Sequence, residues 1–421
     1  MGRKPNARTG QDPVTSLQAT NSTVLARRRL LIVVQNLPVP FDRRVWQEAL
    51  ALAEAGADVI VVCPADERHP EGRFIIDGIT VHRHRAVPEA VRAAGYLREY
   101  WLSVHRIRKL VKLVRAEAEV DAIHICNPPD LLFLAAVDVR RSRRRPLIFD
   151  QHDLGPELVR AKHMPLNRFF VGVAKLMERV TYRLADHVIS TNESYQSIAL
   201  TRGGKSPDEV TVVRSGPRRA WITESVRSDA WHAGHQFLIG YVGVMGRQEG
   251  ITYLLDATQH LVQRGLDVQV ALVGSGPDVA RLIAYAKDLG IQDNVTFHGR
   301  LSDDDLREVL ANSDVCVNPD EVNELNNLST MNKILEYMAL GRPIVQFDVQ
   351  EGRFSAQDAS RYARPNDPIS LADEIETVLL DPALASEMGE FGRVRFAGEL
   401  CWEAQATQLI RAYVHVLEAD V

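Results

Sequence analysis

The sequence predicts an α/β protein made of two doubly wound parallel-sheet domains in tandem. Three observations carry this. Apolar segments of strand length alternate with helical segments of ten or more residues along most of the chain, the pattern of parallel βαβ units. The alternation stops once, over residues 212–236, where Gly, Pro and polar residues show no apolar period, and then begins again. The length, 421 residues, suits two domains of ordinary size.

The first series opens with "RRLLIVVQ" (28–35), a buried strand, followed by "DRRVWQEALALAEAGADVIVVCP" (42–64) as helix, turn and second strand. "VDAIHICN" (120–127) reads as a strand, "PPDLLFLAAVDVRR" as a helix, and "RPLIFDQH" (145–152) and "ADHVISTN" (185–192) as strands. After the 212–236 linker, "FLIGYVGV", "DVQVALVGSG", "NVTFHGR", "DVCVNP" and "RPIVQFD" are strands with helices between them. The resulting divisions are a disordered tail (1–26), a first domain (27–217), a second (218–398), and an amphipathic helix (399–421) expected to pack back across the junction. In such a tandem, ligands are expected in a cleft at the C-terminal ends of the strands.

One helix carries polar groups that its packing does not need. In "NNLSTMNKILEYMALGRPIV" (326–345), Ser329 or Thr330 is placed to cap and Gly341 and Pro343 to stop. Met331, Ile334, Leu335 and Met338 form a buried stripe, while Asn332, Lys333 and Glu336 fall on another face. That edge is either solvated or holds a ligand.

Composition limits the function classes. The apolar fraction of 45% and charged fraction of 25% are those of a soluble globular chain. The net charge of −5 hides an asymmetry: residues 1–217 balance at +9 and the rest at −14, so the first half is expected to meet something anionic. Cys63, Cys126, Cys316 and Cys401 are far apart, without a CxxC pair, and read as free buried thiols of a reducing compartment. No run of 18 apolar residues is present and residues 1–26 lack an apolar h-region, which points to a cytosolic protein.

Several loops are suited to chemistry. Gly274, Ser275 and Gly276 lie between a strand and a helix, where backbone N–H groups favour a phosphate, although the third glycine of a dinucleotide fingerprint is replaced by Val279. "GVMGRQEG" (243–250) is a second such turn; Gly243 and Gly246 flank the strand end and Arg247 is a candidate phosphate ligand. Asp303, Asp304 and Asp305 read as the first turn of a helix capped by Ser302, not as a metal site. In the first half, Asp42, Arg43 and Arg44 open a helix; His152, Asp153 and Glu157 follow a strand; Asn127 and Asn192 occupy equivalent strand ends. Each is either functional or a structural loop residue, and their convergence favours function.

Two helices, 96–118 and 165–186, interleave Arg and Lys with Trp101, Leu113, Phe169 and Phe170. They are either ordinary crossover helices or ones that lie on an anionic bilayer surface. The basic run 140–146 reads as a solvated loop, and no nucleic-acid partner is expected.

Together, "DRRVWQEALALAEAGADVIVVCP", "FDQHDLGPE", "GYVGVMGRQEGITYLLDA", "VGSGP" and "NKILEYMALGRPIV" resemble, in order, the GT-B retaining glycosyltransferases of family 4, over roughly residues 28–420. The similarity is greatest to the branch that builds bacterial surface polysaccharides. It implies a GT-B fold of two Rossmann-like domains and a nucleotide-diphosphate sugar as donor, with no cofactor or metal. It also implies a lipid-linked or glycan acceptor and a cytoplasmic enzyme, peripheral to the inner face of the membrane. Glu336 would bond the ribose; Ser329, Thr330, Asn332, Gly243, Gly246, Gly274 and Ser275 would line the donor site. Lys333 and Arg247 would face the diphosphate, His152 the transferred sugar, and Asp42 would serve catalysis from a loop near the acceptor. Arg43, Arg44, Asn127, Asp153, Glu157 and Asn192 would lie on the acceptor side. Two departures stand out: Leu328 occupies the place of the family's usual first glutamate, and Arg247 is followed by Gln248 and Glu249 where a second basic residue is usual. A sugar-nucleotide epimerase of the same fold and a non-catalytic nucleotide- or membrane-binding subunit remain as alternatives.

Overall fold

Apolar runs become the inner strands of two sheets. The computed structural model describes residues 24–87, 93–137, 145–161, 167–222 and 228–418. Residues 1–23 of the expected tail, 140–144 of the basic run and 223–227 of the expected linker lie outside the described residues. The chain forms two units; it passes between them at 190/191, 195/196, 213/214 and 405/406, so Thr191–Tyr195 count with the second and residues from Ala406 onward with the first.

The first unit holds an eight-stranded sheet of β1 (Arg29–Val34), β2 (Asp58–Pro64), β3 (Gly72–Ile76), β4 (Ile79–His84), β5 (Ala122–Cys126), β6 (Leu147–Gln151), β7 (His187–Ser190) and β8 (Val210–Val212). Their order is β3-β4-β2-β1-β5-β6-β7-β8. All neighbours are parallel except β3 and β4. That hairpin was not expected from the apolar pattern, but its turn had a signal. Asp77 and Gly78 have φ of 47° and 81°, both positive as a two-residue Asp-Gly hairpin turn demands. Leu31, Val33, Ile60, Val62, Ile123 and Ile125 pack one sheet face against Ile107, Val111 and Val114 of the helix Ala93–Glu117. Each such buried aliphatic side chain contributes about 1.5–3 kcal/mol.

The second unit holds six parallel strands: β9 (Phe237–Val242), β10 (Val268–Val273), β11 (Val295–Gly299), β12 (Val315–Asn318), β13 (Ile344–Phe347) and β14 (Ser360–Ala363). Their order, β11-β10-β9-β12-β13-β14, reverses between β9 and β12, the doubly wound arrangement whose ligands bind at the reversal. The helix Asp303–Asn312 starts as expected, with Ser302 Oγ accepting from Asp305 N at 3.1 Å. All four cysteines are free and buried. Among the described residues no helix is long and apolar enough to cross a membrane.

The expected helix over 326–345 needs correction. Two short helices replace it, Glu324–Leu328 and Asn332–Ala339, with Met331 at the second N-cap and no side-chain cap bond. Ser329 and Thr330 lie between them because their hydroxyls have other partners, described below. Ile334, Leu335 and Met338 are fully buried as expected, and Gly341, at φ 63°, ends the helix.

Candidate functional site

In the first unit, polar side chains gather where the strand order reverses between β1 and β5. Asp42 caps the helix Arg43–Glu54, accepting from Val45 N at 3.2 Å. That cap fixes the first turn, leaving Arg43 exposed and Arg44 buried. The Arg44 fork grips Asp150, at the end of β6, through Nε–Oδ2 at 3.0 Å and Nη2–Oδ1 at 2.7 Å. Its Nη1 donates to the Val213 carbonyl at 2.8 Å, and Nη2 lies 3.1 Å from Glu48. His152 hydrogen-bonds Asp150 through Nε2.

One guanidinium therefore faces two buried carboxyls. Burial raises Asp150, but Arg44 and His152 outweigh it and hold the acid well below the usual range. Glu48 is pushed well above its ordinary value by burial, against the pull of Arg44 and with Asp150 adding to the rise. His124 is lowered by burial and bonds the Tyr413 hydroxyl at 2.7 Å. Among the described residues, two groups have donor atoms close enough for a metal: Glu48, Asp150 and His152, and His124, Cys126 and Asp150. Arg44 already occupies both Asp150 oxygens, and burial keeps the Cys126 thiol protonated.

Asn127 sets the loop around His152. Its Oδ1 accepts from the N–H groups of His152 (2.7 Å) and Asp153 (3.1 Å), and its Nδ2 donates to Asp153 O and Asp130, both at 2.8 Å. Burial raises the Asp153 carboxyl. Glu157 is buried in a two-point pair with Arg202 at 2.7 and 3.1 Å, and Arg202 also binds Glu178 at 2.5 Å. Arg44 and Glu157 are thus committed to buried ion pairs, not directed at solvent. Asn192 counts with the second unit. It caps the helix Glu193–Thr201 by accepting from Tyr195 N at 2.7 Å.

In the second unit the glycine turns pack on each other at the C-terminal ends of β9 and β10. A Cβ on Gly274 would lie 1.9 Å from the Gly243 carbonyl, and one on Gly276 2.4 Å from that of Met245. Met245 N donates to Ser275 O at 3.0 Å, and Ser275 Oγ accepts from Arg300 at 3.0 Å. The glycines are therefore required for backbone approach, whether or not a phosphate binds there. Arg247 is exposed on the turn after Gly246.

Lys333 points into this floor. Its Nζ donates to Asp320 at 2.8 Å and sits 4.9 Å from the Tyr241 ring centre, and its Cε would contact a Cβ on Gly243. Burial opposes the charge, yet Asp320 and Tyr241 outweigh it and hold the ammonium above its ordinary value. Asp320 is raised by burial, with Lys333 pulling it back. Oδ2 of Asp320, Oε2 of Glu249 and both side-chain polar atoms of Asn318 are buried without a hydrogen-bond partner among the described residues. Thr330 Oγ1 accepts from Asn192 at 3.0 Å and Arg214 at 3.3 Å. Ser329 Oγ bonds Leu325 O at 2.8 Å and Tyr195 at 3.1 Å. The Leu328 carbonyl accepts from Asn192 at 2.9 Å. Asn332 is exposed and Glu336 half-buried.

Sequence reasoning did not single out Asp150, Glu48, Tyr413 or Asp320. Asp150 and Asp320 had a visible signal, as acids at or just beyond the ends of apolar strands; Glu48 stood four residues after Arg44. Tyr413 gave none, because its partner is 289 positions away.

Two family models match the chain, "Glycosyltransferase Family 4" over residues 42–217 and "Glycosyl transferases group 1" over 236–381. The chain is 29% identical over 181 residues to the alpha-D-kanosaminyltransferase of Streptomyces kanamyceticus, covering 42% of this chain and 45% of that protein. It covers 66% of the alpha-maltose-1-phosphate synthase of Mycolicibacterium smegmatis and 41% of the D-rhamnosyltransferase WbpZ of Pseudomonas aeruginosa, to which it is 26% and 30% identical. In structure it is similar to sucrose-phosphate synthase of Thermosynechococcus elongatus, with TM-score 0.76, 21% identity, and coverage of 93% of this chain and 100% of that one. It is also similar to Anabaena Alr3699/HepE in complex with UDP, with TM-score 0.69, 18% identity, and coverage of 92% and 99%. These structural likenesses establish the fold.

Proposed function

Because this chain belongs to the GT-B glycosyltransferases of family 4, we propose that it moves a sugar, with retention of configuration, from a nucleotide-diphosphate sugar to a hydroxyl of a lipid-linked or glycan acceptor in cell-envelope polysaccharide synthesis. The observation that carries the donor assignment is the polar floor at the β9/β12 reversal, with Lys333, the glycine turns and Arg247 around it. Structural neighbours that bind UDP and UDP-glucose support a nucleotide-sugar there.

In this reading Glu336 holds the ribose, and Ser329, Thr330 and Asn332 line the donor site. As the sugar–phosphate bond breaks, negative charge builds on the diphosphate, and fixed cations lower the barrier if they stand where it develops. Lys333 is already neutralised by Asp320, so Arg247, exposed on its turn, supplies the more available charge. With cations in place no metal is required. His152 attends the transferred sugar, and its cluster in the first unit serves the acceptor side.

The first unit also offers a surface for an anionic bilayer. On the helix Asn167–Leu184, Phe169, Val173 and Leu176 are exposed on one face, with Arg168, Lys175, Arg179 and Arg183 also exposed. Trp101 and Leu113 are exposed on Ala93–Glu117.

The test measures nucleoside-diphosphate release from a panel of uracil and guanine sugar nucleotides, with and without a sugar-diphosphate-lipid acceptor. Acceptor-dependent release with one donor is expected. Acceptor-independent conversion of the sugar would identify an epimerase, and binding without turnover a non-catalytic subunit; either result would overturn the proposal.

A further inference from the structure

The cluster beneath His152 is more elaborate than a loop anchor. Asn127 already pins the main chain of His152, so a second set of contacts acts on the side chain alone. We propose that Asp150 is a positioning residue for His152: gripped by Arg44, it takes the imidazole's Nε2–H and leaves Nδ1 as the nitrogen presented to a sugar hydroxyl. The inference rests on the reading of His152 as the residue beside the transferred sugar.

Geometry and hydrogen-bonding capacity support this. Asp150 is fully buried and both its oxygens lie on the Arg44 fork, so the carboxylate cannot rotate away. Arg44 is itself held by the Val213 carbonyl and by the helix turn that Asp42 caps. An ionised carboxylate only accepts hydrogen bonds, so the proton between Asp150 and His152 belongs to Nε2. A neutral imidazole then has its lone pair on Nδ1, which has no partner among the described residues. The side chain retains 15% exposure, enough for one edge to reach a ligand. The other histidine in the cluster, His124, has its Nε2 at 3.5 Å from Asp150, longer than the His152 contact, and its Nδ1 on Tyr413.

Histidine-selective 15N labelling of the full chain, with His152 assigned from a His152→Gln variant among the 13 histidines, reads the tautomer directly. The expected wild-type signature is a protonated Nε2 and a bare Nδ1; a protonated Nδ1 would overturn the inference even if every variant failed to fold. In the second arm, Asp150→Asn should lower sugar transfer by roughly tenfold to a hundredfold, the scale of a misplaced group at a reacting centre. In a His152→Ala background the same change should cost no more than about twofold, since coupled residues do not add. Equal losses in both backgrounds would show that Asp150 acts on the fold and not through His152. If the wild-type protein transfers no sugar, the proposed function falls while the tautomer still upholds or overturns the positioning.

Discussion

Replacing Lys333 by Met separates its structural from its chemical role. The ammonium bonds Asp320 at 2.8 Å, and the two side chains are only 11% and 2% exposed. Removing one partner of a buried ion pair leaves an uncompensated charge, at a cost of about 3–5 kcal/mol. The other Asp320 oxygen has no hydrogen-bond partner among the described residues, so none of them stands in for the lost ammonium. For a unit of this size that loss lowers the melting temperature by roughly 6–20 °C. Met fills most of the space over Tyr241, so little of the effect is cavity. Thermal unfolding and acceptor-dependent transfer are measured for Lys333→Met, Asp320→Asn and the double variant. The double variant should regain most of the stability, because no charge is stranded, yet remain poorly active if the ammonium also acts on the diphosphate. A Lys333→Met loss under about 1 kcal/mol would refute the ion-pair argument. A double variant restored in both stability and turnover would remove Lys333 from the chemistry.

Three further outcomes are expected. His187, on β7, is lowered to about 4 by burial, with His415 and Lys205 adding to the effect. Between pH 6.5 and 4 the unfolded chain binds a proton that the folded one refuses, so stability falls as pH drops, by up to about 3 kcal/mol. His187→Gln should flatten the denaturant midpoint across that window; parallel curves would contradict the assignment. Glu336→Ala should weaken nucleotide-sugar binding by ~1.5–3 kcal/mol in calorimetry, and unchanged affinity would take it out of the donor site. Joint Phe169→Ser and Leu176→Ser replacement should reduce sedimentation with anionic vesicles roughly tenfold, and raised salt should release the wild type. Wild-type binding that is absent, or equal on neutral vesicles, would count against a membrane surface.

By itself the sequence determined what depends on near neighbours. Apolar runs marked the inner strands, Ser302 before three aspartates marked a helix start, and the stripe Ile334, Leu335, Met338 marked a core face. Each follows from local hydrogen bonding and side-chain period, and the motif order carried the family resemblance. The partner of each polar group was decided only by tertiary structure. Ser329 and Thr330 were equipped to cap, but Tyr195, Asn192 and Arg214, more than 100 positions away, engage their hydroxyls. Arg44 could have faced an acceptor, but Asp150, 106 positions on, takes both arms of its fork. Lys333 could have faced a phosphate directly, but β12 brings Asp320 beneath it. A charged group taken out of water must find its counter-charge wherever the fold puts one, and that place is a property of the sheet order.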